Sequence, residues 1–292
     1  MNKNGILVIN KEKEWTSNDV VQKVKHLLNE KVGHTGTLDP MATGVLPLLI
    51  GKATKVSKYL INHDKKYLVT LKLGQKTTTA DIEGEIIEEK DVNEDILKQE
   101  NIEKIFLKFI GKQTQTPPIY SAIKVNGKKL YEYARQKKSV EIPKREIEIY
   151  TIKLQKIDKK EKQIKFQIHT SKGTYIRSVC EDIAKELGTI GYMKDLERIQ
   201  VGEFNIKQSI KICELEEKIN KLEIPWFITL EELLKNKESI ILESQKKEDL
   251  FLNGVKLTYK KPNDTYKIYD INKKFIGIGI IQNELLKRDV IL

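Results

Sequence analysis

Gly33 to Leu49 reads Gly-His-Thr-Gly-Thr-Leu-Asp-Pro-Met-Ala-Thr-Gly-Val-Leu-Pro-Leu-Leu, and no other stretch constrains the chain as much. One carboxylate, Asp39, stands among small and conformationally special residues. Gly36 and Gly44 can take positive φ, and Pro40 fixes the backbone just past the acid. Pro40 also biases Asp39 away from the α region, which places the carboxylate on an extended or turning loop. Two readings stay open here: an aimed side chain that does chemistry, or an Asx-type turn in which Asp39 only bonds nearby backbone amides. Two phosphate chemistries are excluded. Thr35-Gly36-Thr37-Leu38 would serve as an aspartyl-phosphate site only with a nucleophile at position 33, and Gly33 has no side chain. The stretch from Gly44 to Gly51-Lys52 is too long for a phosphate-binding loop, and Ala53 stands where the hydroxyl is needed.

At 292 residues the chain has room for one large domain and a small one, with a core that needs no staples. A formal net charge of +11 favours a polyanionic partner such as nucleic acid, although a general richness in Lys supplies part of it. Cys180 and Cys213 are the only cysteines, too far apart in sequence for metal-ligand spacing, so neither a disulfide framework nor a zinc site is expected. A reducing cytoplasm fits. The N-terminus carries no signal-type apolar run, and no stretch approaches the roughly twenty apolar residues of a membrane helix. The expectation is a soluble, cytoplasmic protein with no membrane partner.

Taken in order, Gly5 to Ile9 is an apolar strand, and Ser17 is placed to cap a helix on which Val20, Val21, Val24, Leu27 and Leu28 recur at helical spacing. Lys66 to Gly74 alternates as a strand, with Tyr67 near its start, and Thr77 to Gly84 is a polar turn holding Asp81. Residues 94 to 109 read as a helix. The run Gly127 to Lys138 interleaves cations with tyrosines, which suits an RNA backbone and its bases and equally suits a solvated helix face. Strands resume at 147–150 and 164–169. Ser171 to Val179 then leads into a helix through Ile183 and Leu187 that Gly188 stops. Residues 209–235 look helical and linking, with Trp226 behind Pro225, and short strands follow at 250–255, 266–269 and 275–281. By residue type alone, Tyr67 and Leu196 are packing residues, Lys11 a solvated cation, His34 a satisfied loop histidine, Asp81 a turn acid and Arg177 a surface cation.

The order Gly-His-Thr-Gly-Thr-Leu-Asp-Pro-x-Ala-Thr-Gly-Val-Leu closely resembles the catalytic motif of the TruB family of tRNA pseudouridine synthases. Pro118-x-Tyr120-Ser121-Ala122-x-Lys124, the string from Gly127 to Arg135, and Gly173-Thr174-Tyr175-Ile176-Arg177 match further family motifs. The N-terminal Lys-Pro-x-Gly-x-Thr-Ser pattern is met at Lys11, Thr16 and Ser17. It is broken where Glu12 replaces Pro and Glu14 replaces Gly.

The resemblance implies an α+β fold: a mixed, largely antiparallel sheet core of the pseudouridine synthase type flanked by helices, plus a small C-terminal β-barrel PUA-like domain. It divides the chain into a catalytic domain at 1–235, with an RNA-clamping insertion at about 112–145, and an RNA-binding domain at 236–292. The implied activity is isomerisation of uridine to pseudouridine at position 55 in the T-loop of tRNA, by a monomer without metal, redox cofactor or nucleotide energy source. In that scheme Asp39 is the catalytic carboxylate, Arg177 its partner, and Tyr67 stacks on the target uracil and takes part in proton removal at C5. His34 fills the space the base leaves, Tyr175 contacts substrate, and Leu196 walls the uracil pocket. Asp81 lies near the entrance, and Lys11 either reaches RNA or structures the site. If the basic surface binds tRNA, affinity measured by filter binding should fall by on the order of a hundredfold or more between roughly 50 and 200 mM salt; a flat response would overturn that reading of the charge.

Overall fold

A computed structural model of the chain describes residues 4–136, 138–221 and 228–292, so Lys137, Pro225 and Trp226 lie outside the described residues. The first part runs β1 (Gly5–Lys11), α1 (Ser17–Leu28), β2 (Val32–His34), β3 (Thr43–Ile50), α2 (Ser57–Leu60), β4 (Lys65–Leu73), β5 (Gln75–Thr77), β6 (Ile86–Glu89) and α3 (Gln99–Phe109). Next come β7 (Gly111–Gln115), β8 (Lys124–Val125), β9 (Lys128–Lys129), α4 (Leu130–Arg135), β10 (Arg145–Asp158), β11 (Gln163–Thr170), α5 (Ile176–Glu186), β12 (Gly191–Val201) and β13 (Phe204–Asn205). The chain closes with α6 (Ile212–Asn220), α7 (Leu230–Leu233), β14 (Ser239–Ile241), α8 (Gln245–Leu252), β15 (Leu257–Thr258), β16 (Thr265–Tyr269), β17 (Phe275–Gln282) and β18 (Leu285–Ile291).

Strand alternation explains the architecture. On β4 the odd-numbered residues from Lys65 to Leu73 are buried and the even ones half-buried, so one face carries the core. β4 lies inside a nine-stranded sheet of order β1-β3-β12-β4-β11-β10-β7, with β2 added to β3 and β13 to β12. All its pairings are antiparallel except β3 with β12. This is the mixed, largely antiparallel α+β core expected. Helices α1, α3 and α5 set Val20, Val24, Ile102, Phe106, Val179 and Ile183 against Val69, Leu71, Phe166 and Ile168 of that face. The insertion at about 112–145 leaves and rejoins the sheet edge where Gln115 faces Arg145, so its first residues belong to β7, and the β8–β9 hairpin and α4 project from there.

The opposite face of β1 and β3 is closed from behind. Ile6, Val8, Val45 and Leu49 pack with Ile278 and Val290 of a second, five-stranded sheet of order β14-β16-β17-β18-β15, the expected small C-terminal β unit. Lys58 and the Tyr59 hydroxyl both bond the Asp289 carboxylate across that contact.

Three local expectations are corrected. Helix α1 is capped by Thr16, whose hydroxyl accepts from the Asp19 amide while the Asp19 carboxylate accepts from the Thr16 amide; Ser17 is occupied elsewhere. The helix expected over 94–109 is a 3-10 turn, Glu94–Leu97, followed by α3, with Lys98 extended between them. The strand expected at 250–255 is instead the end of α8. Ser244 caps that helix, Gly254 follows it at φ +84°, and only Phe251 of its apolar run is fully buried. Periodicity is uninformative over so short a run, and the Ser and Gly at its ends carried the helical signal.

Glu14, which stands where the family pattern has Gly, adopts φ +69°, and its amide donates to the Pro40 carbonyl at 3.0 Å. The loop therefore keeps a glycine-type conformation with a side chain that resists it. Glu14→Gly should raise stability by about 0.5–1 kcal/mol, the left-handed penalty less the extra chain entropy of Gly, read as a higher melting temperature.

Candidate active site

The loop between β2 and β3 is held from three sides. The Ser17 hydroxyl accepts from the Leu38 amide at 2.8 Å and donates to its carbonyl at 3.1 Å. Lys11, with no solvent exposure, gives its ammonium to the carbonyls of Glu12, Trp15 and Pro40 at 2.9, 2.6 and 3.1 Å. All three of its donors are used inside the protein, where Lys11 ties the 12–15 loop to the residue after Asp39. Burial lowers its pKa to about 8.

The third support is Arg198 on β12, which is almost fully buried. Its Nε donates to the Val45 carbonyl at 2.8 Å, and its two terminal nitrogens to Gly36 and Thr37 carbonyls at 3.0 and 3.4 Å. Gly44 takes φ +102°, and a Cβ there would lie 2.3 Å from the Arg198 carbonyl oxygen, so only glycine lets β3 approach β12 this closely. Gly36 stays outside the positive-φ region; its part is to present a carbonyl.

At the tip of this frame, the Asp39 carboxylate is taken up side-on by Arg177, with Nε 3.2 Å from Oδ2 and Nη2 3.3 Å from Oδ1. The aimed side chain, not the Asx turn, is what the backbone delivers. Arg177 lies in the first turn of α5 with its side chain 7% exposed, and its other bonds reach the Asp81 carboxylate at 3.4 Å and the carbonyls of Thr79 and Tyr120 at 3.2 and 3.0 Å. Asp81 is buried, and the Thr79 hydroxyl and the Glu83 amide donate to it. Asp81 therefore closes its own turn and shares Arg177 with Asp39.

About a third of the Asp39 side chain remains open, the direction from which a substrate would arrive. Removal from water pushes the Asp39 carboxyl above the usual aspartate range, and the Asp81 charge pushes the same way; Arg177, Lys11 and Arg198 only partly offset them. Arg177 offsets the cost of burial without reversing it, because desolvation is the larger effect.

Tyr67 on β4 faces Arg198 across the β4–β12 register. Burial raises the phenol pKa, so the hydroxyl stays protonated. Leu196, two residues along β12 and 5% exposed, lines the same side. His34 sits on β2, not in a loop, and its buried Nδ1 has no hydrogen-bond partner; burial and Arg198 lower its pKa and keep the ring neutral. Tyr175 is half-buried just ahead of α5. The Gln115 side chain clamps its backbone, accepting from the amide at 2.9 Å and donating to the carbonyl at 3.0 Å. Among the described residues no group of three or more His, Cys, Asp or Glu is arranged to hold a metal, and no helix is long and apolar enough to cross a membrane.

Comparison with known proteins fixes the lineage. Residues 24–176 match the TruB family pseudouridylate synthase N-terminal domain, and residues 177–241 match the tRNA pseudouridylate synthase B C-terminal domain. The chain belongs to the TruB family.

TruB-family relatives include the tRNA pseudouridine synthase B of Francisella tularensis subsp. tularensis, 40% identical over 299 residues, covering 100% of this chain and 98% of the relative. That of Francisella philomiragia is 41% identical over 281 residues, covering 96% and 91%. The crystal structure of a Cbf5-Nop10-Gar1 complex superposes with a TM-score of 0.71 at 23% identity over 99% of this chain and 84% of that one, which shows a shared fold. The boundary between the two matched TruB segments falls inside α5, so it does not coincide with the break between the two sheets.

Arg198 was missed as a functional residue by sequence reasoning, although β12 alternation puts it on the same inward face as Leu196, and a cation at an inward position was the available signal. If Asp39 is the reacting carboxylate it acts ionised, and since burial raises its pKa above the ordinary ~3.9, kcat/KM should fall on the acid side with a midpoint above that value. In Asp81→Asn, which removes a neighbouring negative charge, the midpoint should move down. A pH–rate profile of the two proteins checks both signs.

Proposed function

We propose that this chain isomerises uridine to pseudouridine at position 55 in the T-loop of tRNA, with Asp39 as the catalytic carboxylate. The observation that carries the assignment is the Asp39 carboxylate, gripped along one edge by Arg177 and open on the other. The reaction breaks the N1–C1′ bond, turns the freed uracil and rejoins it through C5, losing the C5 proton. It needs a charged group at the sugar or base, acting as a nucleophile or stabilising a cationic ribose. A carboxylate fixed by an arginine and raised in basicity by burial suits either course.

The uridine must first leave its stack, at a cost of a few kcal/mol that pocket contacts offset. Tyr67 and Leu196 supply apolar surface for the base, and the Tyr67 hydroxyl, kept protonated by burial, is carried on the strand position facing Arg198. The neutral His34 ring is assigned, by the family resemblance, the place of the extruded base. The insertion that leaves the sheet at Gln115 and returns at Arg145 is assigned the clamping role, and residues 236–292 a PUA-like role in holding the rest of the tRNA. The docking of their sheet behind β1 and β3 supports a fixed platform.

Asp39→Asn should abolish tritium release from C5-labelled tRNA while leaving tRNA affinity within about tenfold, roughly 1.4 kcal/mol. Near-normal release from the variant would remove Asp39 from the reaction, and no release from the unmodified protein would defeat the isomerase assignment itself.

A further inference from the structure

Arg145, the first residue of β10, stands where the insertion rejoins the sheet. Its guanidinium carbon lies 5.5 Å from the centroid of the Tyr175 ring, and Nη1 donates to the Gly173 carbonyl at 3.2 Å. Gly173 sits at φ +76°, and a Cβ there would come within 3.1 Å of Nη1, so this turn is shaped for the guanidinium to lie close against it. Nε is shielded from solvent yet has no hydrogen-bond partner. Among the described residues no carboxylate lies within ion-pairing distance, and Nη2 makes no hydrogen bond. The Nε/Nη2 edge, the fork that meets a phosphate with two parallel bonds, is therefore uncommitted. Buried polar groups are nearly always paired, and a permanently charged one without a counter-ion calls for an anionic partner.

We infer that Arg145 is a substrate-binding residue that takes a backbone phosphate of the RNA next to the target uridine, while its flat face holds Tyr175 in position. The inference rests on the isomerase assignment only in taking RNA as the ligand. Tyr175 precedes Ile176 and Arg177 at the start of α5, and Arg177 holds Asp39, so the ring that Arg145 lies against stands two residues in sequence from the partner of Asp39. Gln115, opposite Arg145 in the β7–β10 register, holds the Tyr175 backbone from the other strand. The phosphate, the aromatic face and the root of the insertion thus meet at one point.

The test uses the full chain and RNA stem-loops in which one linkage at a time near the target uridine is a neutral methylphosphonate. Turnover of the unsubstituted RNA by the unmodified protein checks the isomerase assignment separately. For the unmodified protein, one linkage should weaken binding about tenfold or more. For Arg145→Ala, binding to unsubstituted RNA should be weakened by a similar factor, and the same linkage should then have no further effect. The slope of log affinity against log salt should be shallower by about one. Arg145→Lys, which keeps the charge without the fork, should restore the slope and not the affinity. Penalties that multiply in the double perturbation, no linkage that stands out, or full affinity in Arg145→Lys would each overturn the inference.

Discussion

One guanidinium organises the centre of this protein. Arg177 pairs ionically with both Asp39 and Asp81 and donates hydrogen bonds to Asp39 Oδ1 and to the carbonyls of Thr79 and Tyr120. Those acceptors come from the β2–β3 loop, the turn before β6 and the insertion beyond β7. A single side chain at the start of α5 therefore brings three separate stretches of sequence to one point. Lysine could not do this, having three donors and no planar fork.

The surrounding electrostatics follow from how the cations are spent. Arg198 and Lys11 are buried deeply but directed at backbone carbonyls, so they shape the loop and reach Asp39 only through space. Arg177 is shared between two acids. No cation is dedicated to Asp39 alone, and desolvation prevails: the carboxylate is positioned firmly yet remains more basic than an aspartate in water. Firm placement without deep stabilisation keeps a carboxylate reactive, since the interactions that fix it do not bury it in a low-energy ion pair.

Much of the frame was legible in the sequence because it rests on short-range rules. Pro40 and Gly44 announced a shaped loop, alternation announced β4 and β11, and Gly188 announced the end of α5. The Asp39–Arg177 pair came from motif resemblance, since 138 residues of sequence separate the two and only the fold closes the gap. What stayed hidden depended on tertiary context. Lys11 looked like any surface lysine until three carbonyls converged on it. Ser17 looked like a cap, while Thr16 with Asp19 closed the box and left the Ser17 hydroxyl for Leu38. Residues 250–252 carried too few turns to tell strand from helix, and their fold was decided by end residues. The packing of the two sheets on each other also depends on tertiary context, and no short-range signal in either segment announced it.

The docking of the C-terminal sheet bears on that last point. Ile278 and Val290 join a cluster that includes Ile6 and Val8 of β1 and Val45 and Leu49 of β3, the strand that follows the Asp39 loop. Stripped of its last 57 residues, the remaining polypeptide would present this apolar strip to water directly behind Asp39. The appended module is thus a back wall for the enzyme, and a shortened version would gain a sticky surface and a slackened loop together.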